Sequence, residues 1–463
     1  MKMLSRIGAL MAAAMLILSG TAAFAADLRV QRMGQQFLAA LPGDWHAVLG
    51  DWRYLDIEAC YTQGSSCFGN NPSSPYGFPA FPETVAPAMD FRLEPTEAVV
   101  IFLKTPPQVR YFGFTQYLQT RNGGTHLFAS LSDTLNHLRF VTLKSTAPGT
   151  EVFNQYAVVA WTADMNTLAK VQQTLAAQGI PASAINFVPL PIQLPLFMGY
   201  APTADTFTML MRTALAQDPS KLQTYLADKP FFVVKTGPNN PTPVVTAPTI
   251  GYASEASGVA EDGALGAALD SLIADIRNRY VKSYSLSTPP VLFKSTVGWD
   301  CIAGNSSCDA DNHDALYGAD VSRAVIVSNL SDLVIIAGVN HRKTGKALYI
   351  NHAVYDTLKK TGITAVDDTL LTSQSAYYHA GVFLPGDPRR SQYANLYAYA
   401  ISYDCSGVSY CLQIPAPTPE NPIGLAPGSP FYLVSRDYVD PHTDVRPSIN
   451  EIIAQRIVIA TKR

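Results

Sequence analysis

One segment of this chain is written twice. Residues 60–77 read CYTQGSSCFGNNPSSPYG, residues 301–318 read CIAGNSSCDADNHDALYG, and the two align without a gap. Cys60, Ser65, Ser66, Cys67, Asn71, Tyr76 and Gly77 match Cys301, Ser306, Ser307, Cys308, Asn312, Tyr317 and Gly318. A repeat constrains the fold more than composition does, because two copies of one module must bury equivalent hydrophobic faces in equivalent ways. Further segments follow in the same order. Thr96-Glu97 leads into AVVIFL as Ser331-Asp332 leads into LVIIAG. PFFVVK from Pro230 pairs with PFYLVS from Pro430, so the offset shrinks from 241 to 200. The stretch GPNNPTPVVTAPT from Gly237, dense in Pro, Asn and Thr, reads as a linker. The expected organisation is a signal peptide over 1–25, a first module over 26–236, a Pro-rich linker over 237–258 and a second module over 259–463.

The leader reading rests on Lys2 and Arg6, an apolar run from Ile7 to Leu18, and the small-residue site Ala23-Phe24-Ala25. Export to the periplasm or medium agrees with the six cysteines. They fall into three local pairs, Cys60 with Cys67, Cys301 with Cys308, and Cys405 with Cys411, and in an oxidising compartment such spacing predicts three disulfides. After the leader no run of 18 apolar residues remains, so no further membrane span is expected. A formal net charge of -3 without a basic cluster argues against nucleic acid as a partner.

Most of the chain has strand character. AVVIFL, VRYFGFTQYL, NQYAVVAW, FTMLM, LVIIAGVNH, KALYINHAVY, NLYAYAISY and PFYLVS are β-branched, aromatic or alternating, and Pro, Gly or Asn bound them. Two helices stand out. TADMNTLAKVQQTLAAQG has Thr162 or Asp164 as its cap and Gly179 with Pro181 as its stop, and the strands around it make a β-α-β unit. The second runs from about Glu261 to Tyr280. The predicted fold class is α+β, mostly antiparallel β: two tandem related sandwich-like modules, each with a packed helix.

The repeat also acts as a control. Residues shared by both copies, such as Tyr76 and Tyr317 or Asn71 and Asn312, read as holding the loop. The copies differ where Asp309, Asp311, His313 and Asp314 stand in place of Phe68, Asn70, Pro72 and Ser73. Three readings compete for this acidic loop. Asp309, Asp311 and Asp314, with Asp320, supply hard oxygen ligands of the kind calcium takes, although the glycine of an EF-hand turn is missing. His313 with Asp311 and Asp314 forms a catalytic acid–base group. The plain alternative is a solvated turn. Motifs of the familiar hydrolases and nucleotide binders, among them G-x-S-x-G, H-E-x-x-H and the P-loop, are absent.

Candidate ligand-binding residues are Tyr317, His341, His352, Tyr397 and Tyr399. If RKTGK turns a hairpin, His341 and His352 lie roughly 17–20 Å apart and cannot share an ion. In NLYAYAISY, Tyr397, Tyr399 and Tyr403 share one face, suited to a sugar or aromatic ligand or to core packing; FTMLM is taken as the counterpart strand. Two functions follow as expectations. One is an exported hydrolase or lyase acting on a small or aromatic organic substrate near the second cysteine loop, with no cofactor required and calcium possible. The other is a non-catalytic extracytoplasmic protein binding a small or polymeric ligand, carbohydrate or aromatic, in a tyrosine-lined groove.

Overall fold

The computed structural model describes residues 27–463 apart from 65–66, 68, 83–88, 192, 243, 245–246, 248–250, 295–296, 320–324, 326, 328, 373, 380–382 and 384. The expected leader and Asp320 lie outside the described residues. The chain is strand-rich. Its earlier strands are β1 (Trp45–Tyr54), β2 (Tyr76–Ala80), β3 (Ala98–Lys104), β4 (Val109–Arg121) and β5 (Thr125–Ser130). They are followed by β6 (Leu135–Asn136), β7 (Tyr156–Thr162), β8 (Ile185–Pro189), β9 (Thr206–Ala216) and β10 (Phe231–Pro238). The later strands are β11 (Tyr284–Ser287), β12 (Phe293–Lys294), β13 (Ala315–Ala319), β14 (Leu333–Val339) and β15 (Tyr349–Asp356). The last five are β16 (Thr361–Asp367), β17 (Leu396–Ser402), β18 (Cys411–Gln413), β19 (Phe431–Tyr438) and β20 (Arg456–Lys462).

Strands β1–β10 form one curled sheet in the order β5-β4-β9-β2-β1-β10-β3-β7-β8, with β6 on β4. The later strands form two sheets, β16-β15-β19-β13-β12 and β11-β20-β14-β17-β18. Placed end to end, their order runs parallel to the first. β1 bridges its two neighbours by pairing through Trp45–Gly50 with β10 and through Asp51–Tyr54 with β2. Its place is shared by β11, which pairs β20, and β12, which pairs β13. Pro289 and Pro290 lie between those two strands and have no N–H to give a ladder, so the strand is broken there and the sheet with it.

Helices pack on the sheets from outside. The short α2 (Ile57–Thr62) follows α1 (Leu28–Ala39) in the chain, and α1 and α3 (Met165–Ala176) share a core with the inner residues of β3 and β7. Asp164 caps α3 by accepting from Thr167 N, and β7 and β8 run parallel on either side of it, so the predicted β-α-β unit is present. The second predicted helix spans Gly263–Tyr280, and Asp262 outside it is its cap. That helix packs with Ser375–Tyr378 and Pro388–Ala394 over β14, β17 and β20, so more than one helix serves each half. The sheets are curled antiparallel layers rather than two sandwiches.

All three predicted disulfides form, Cys60–Cys67, Cys301–Cys308 and Cys405–Cys411, which fits an oxidising compartment. No helix among the described residues is long and apolar enough to cross a membrane. The first two disulfides sit in matching places, each joining a short helix, Ile57–Thr62 or Gly298–Gly304, to the loop before β2 or β13. Each is packed in the other half's core. Tyr61 and Cys67 lie with Val354 and Ile363, whereas Cys301, Ile302 and Cys308 lie with Leu127 and Ala129.

The sheet order corrects two expected matches. β19, which carries PFYLVS, holds the place of β9 and not of β10, whose place is held by β20. NLYAYAISY is β17 and holds the place of β7, so FTMLM in β9 is not its counterpart. The expected hairpin at RKTGK does not form either: β14 pairs β17 and β20, while β15 pairs β16 and β19.

Candidate functional site: a cavity between the two halves

The β4-β9 and β15-β19 layers meet along a seam where Tyr111, Ala214, Ala315, Tyr349 and Tyr438 pack together. Beside that seam lies a cavity of about 730 Å³, a size suited to a small organic molecule. Both halves line it with residues at equivalent sheet positions. Tyr76 is opposite Arg212 in the ladder as Tyr317 is opposite Arg436. Leu210 and Val434 lie two residues before those arginines. Met89, Phe128, Tyr355 and Tyr432 add apolar and aromatic surface.

The exchanged loops close the cavity and bond reciprocally across the seam. Tyr117 Oη donates to Asp311 O at 2.8 Å and Tyr355 Oη to Asn70 O at 2.5 Å. Arg212 Nη2 donates to Ala310 O at 3.1 Å, and Arg436 Nη2 to Gly69 O at 3.0 Å. Asn71 Nδ2 donates to Tyr349 Oη at 3.1 Å, and Asn312 Nδ2 to Tyr111 Oη at 3.3 Å. Each loop residue in the second set lies 241 positions beyond its partner in the first, so one docking pattern is used twice.

The charges in this wall are unusual. Arg212 and Arg436 are only 2% and 3% exposed, and among the described residues neither forms an ion pair. Their partners are neutral: Thr115, Tyr117 and a carbonyl for Arg212, Tyr355 and a carbonyl for Arg436. Arg212 lies over the rings of Tyr76 and Tyr117, and Arg436 over those of Tyr317 and Tyr355, at 5.3–5.6 Å. Those aromatic faces offset part of the charge. Among the described residues, Nε of Arg212, and Nε and Nη1 of Arg436, have no hydrogen-bond partner. Burying a guanidinium without a counter-ion costs several kcal/mol. Lys294 and Lys360 add positive charge to the wall, against Asp309 and Asp311.

The residues singled out from the sequence are scattered around this cavity. Tyr317 and Asp311 line it. The Asp311 carboxylate accepts from Ser130 N at 2.8 Å and Ser130 Oγ at 2.6 Å, while burial holds its carboxyl above the ordinary range. His313 lies behind the wall, Nδ1 at 2.5 Å from Asp133 and Nε2 at 3.6 Å from Glu255. Burial opposes its charge, but the two carboxylates prevail and raise it. Asp314 accepts from Tyr111 Oη and Asn136 Nδ2, both at 2.9 Å, and burial lifts its carboxyl to about 7. Asp311, His313 and Asp314 thus face three different sets of partners. Asp309 is exposed and bonded to Ser307, and no group of three His, Cys, Asp or Glu among the described residues gathers to hold a metal. The calcium reading therefore finds no converging ligands in Asp309, Asp311 and Asp314.

His341 bonds Glu261 at 2.8 Å, and His352 bonds Tyr397 Oη at 2.6 Å. Without the hairpin the two imidazoles are close enough to interact: burial, and then His341, push His352 down to about 3. Tyr397 and Tyr399 are buried in the core under β17, in contact with Ile336 and Ile401, and do not line the cavity. The sequence reading missed Arg212 and Arg436. A signal for the arginines was present, since FTMLMRTALA and PFYLVSRDY each carry a single arginine inside an apolar strand.

No family model matches this chain, and no curated protein matches it. Among solved structures, an uncharacterized protein from Burkholderia cenocepacia is similar at 11% identity and a TM-score of 0.38, over 93% of this chain and 87% of that one, which carries no argument about function.

Proposed function

We propose that the chain is two related units fused into one exported protein, and that the cavity between them binds a small organic anion with an apolar or aromatic body. The fusion is supported by the parallel strand order and the reciprocal docking of the two cysteine loops. The ligand class is supported above all by one observation: two buried arginines, neither in an ion pair among the described residues, line a wall that also carries four tyrosines and a set of apolar side chains. An incoming carboxylate would gain charge-assisted hydrogen bonds in a site shielded from water, while the ligand body covers Met89, Phe128, Leu210 and Val434.

Calorimetry with decanoate and 4-phenylbutyrate, against the corresponding neutral amides, tests this reading. The expected result is binding of the acids and, for the amides, at least about tenfold weaker binding, the loss of one charged hydrogen bond. Equal binding of acids and amides, or undiminished acid binding by the Arg212→Met/Arg436→Met double variant, would overturn it.

A hydrolase or lyase reading keeps one point of support in the cavity wall, the buried Asp311 with its raised carboxyl. Its test is chemical: a bound ester or acid recovered unchanged after long incubation, with wild type and Asp311→Asn alike, removes it.

A further inference from the structure

The two halves hold their arginines unequally. Gly113 of β4 is paired with Arg212 of β9, and Asn351 of β15 with Arg436 of β19. Two residues further along, Thr115 on β4 and Ala353 on β15 therefore occupy equivalent positions. Thr115 Oγ1 accepts from Arg212 Nη1 at 3.0 Å. Ala353 has no oxygen to offer, and Arg436 Nη1 is left unpartnered. Threonine at 115 against alanine at 353 thus leaves one more nitrogen of Arg436 than of Arg212 without a partner among the described residues.

The neighbouring loop positions differ in charge as well. Asp311, whose carbonyl receives Tyr117, stands close to that arginine-bound tyrosine, whose hydroxyl is raised by burial first, against the pull of Arg212, and then by the charge of Asp311. The equivalent loop position beside Tyr355 is Asn70, which is uncharged. The loop position that faces each tyrosine is therefore acidic beside Tyr117 and neutral beside Tyr355, while Asp309 and Asp356 lie nearer Tyr432.

We infer that the ligand's anionic group is held by Arg436, with Arg212 acting as scaffold, so that the site takes a monoanion with its charge at one end rather than a symmetric dianion. This rests on the anion-binding reading above. Position 353, alanine here, is then what keeps Arg436 available.

The full chain tests the inference through binding of decanoate and decanedioate. Arg436→Met should weaken decanoate binding at least about tenfold and Arg212→Met by no more than a few-fold, given what a charged hydrogen bond contributes. Ala353→Thr should weaken it several-fold by giving Nη1 a hydroxyl, with Ala353→Ser as the less bulky alternative if the threonine variant does not fold. Wild type should bind decanedioate no more tightly than decanoate. An Arg212→Met loss equal to or larger than that of Arg436→Met, or tighter binding of the diacid, would overturn the inference while leaving anion binding intact. Absence of binding by either acid would instead remove the parent reading. Folding of each variant is checked by circular dichroism, and the arginine pair decides the matter even if neither variant at position 353 is usable.

Discussion

The loop at 60–77 and the loop at 301–318 do the same mechanical work with different chemistry. Each begins in a short helix, is closed by a disulfide, crosses to the other half and hands a carbonyl to an arginine there. Yet Asn70, Pro72 and Ser73 in the first are Asp311, His313 and Asp314 in the second. Of the residues gained by the second loop, Asp311 lines the cavity while bonding Ser130, whereas His313 and Asp314 bond Asp133, Tyr111 and Asn136 behind its wall. Among the residues both loops share, Tyr76 and Tyr317 line the cavity and Asn71 and Asn312 span the seam. When two equivalent regions meet face to face, what they have in common builds the site between them, and a residue found in only one need not be functional.

That comparison can be broken most forcefully at Asp314, whose counterpart Ser73 carries no charge. Burial raises the Asp314 carboxyl from 3.8 to about 7, so the stability tied to its protonated form is fully present below about pH 4 and lost as pH rises through 7. Asp314→Asn removes this dependence. Between pH 4 and pH 8 wild type should lose on the order of 4 kcal/mol more than the variant, from a shift of about 3 units. Urea unfolding at the two pH values measures it, and parallel losses would show that Asp314 titrates normally.

Next in size are the two seam asparagines. Asn312 accepts from Asp314 N and Thr134 Oγ1 and donates to Tyr111; Asn71 accepts from Ser73 N and Asn351 Nδ2 and donates to Tyr349. Either alanine variant leaves buried groups unsatisfied, and each should destabilise by roughly 2–3 kcal/mol. Chemical denaturation in which only one of the pair matters would break the equivalence of the loops.

The arginines should separate in the opposite direction. With no counter-ion present, replacing a buried charge by an apolar side chain of similar volume removes an uncompensated desolvation cost. Arg436→Met should stabilise the ligand-free protein by about 1–2 kcal/mol, and Arg212→Met by less, because Thr115 already serves Arg212. A melting temperature lowered more by Arg436→Met than by Arg212→Met would contradict the unequal burden.

The smallest effect is at Ala310, which holds a left-handed φ of 58° where the other loop has Gly69 at 64°. An alanine there is strained by about 1–2 kcal/mol, so Ala310→Gly should raise stability by about 1 kcal/mol. Unfolding titrations of that variant check it; no gain would mean that the two turns are not conformationally equivalent.

Local patterns carried the sequence reading well where one short segment decides its own structure. Asp164 as a cap, the helix after it, and three disulfides across six- or seven-residue separations were legible because each depends on neighbours in the chain. Long-range matches were less secure. PFFVVK and PFYLVS resemble each other because apolar strands have few ways to differ, and only ladder pairing places the second of them beside β13 and β15. The hairpin drawn at RKTGK failed for the same reason: β14 and β15 each found better partners elsewhere.

The sequence by itself determined that two cysteine loops are alike, which residues they share, and that most of the chain is built from apolar strands bounded by turn residues. Only tertiary structure decided that each loop docks on the opposite half, and that two arginines, more than 220 residues apart, line one cavity with no ion pair to either among the described residues. The physical reason is distance along the chain. Caps and disulfide turns act between residues a few positions apart, whereas the partner of a buried charge is set by which strands pair, and strand pairing leaves only a weak imprint on local sequence.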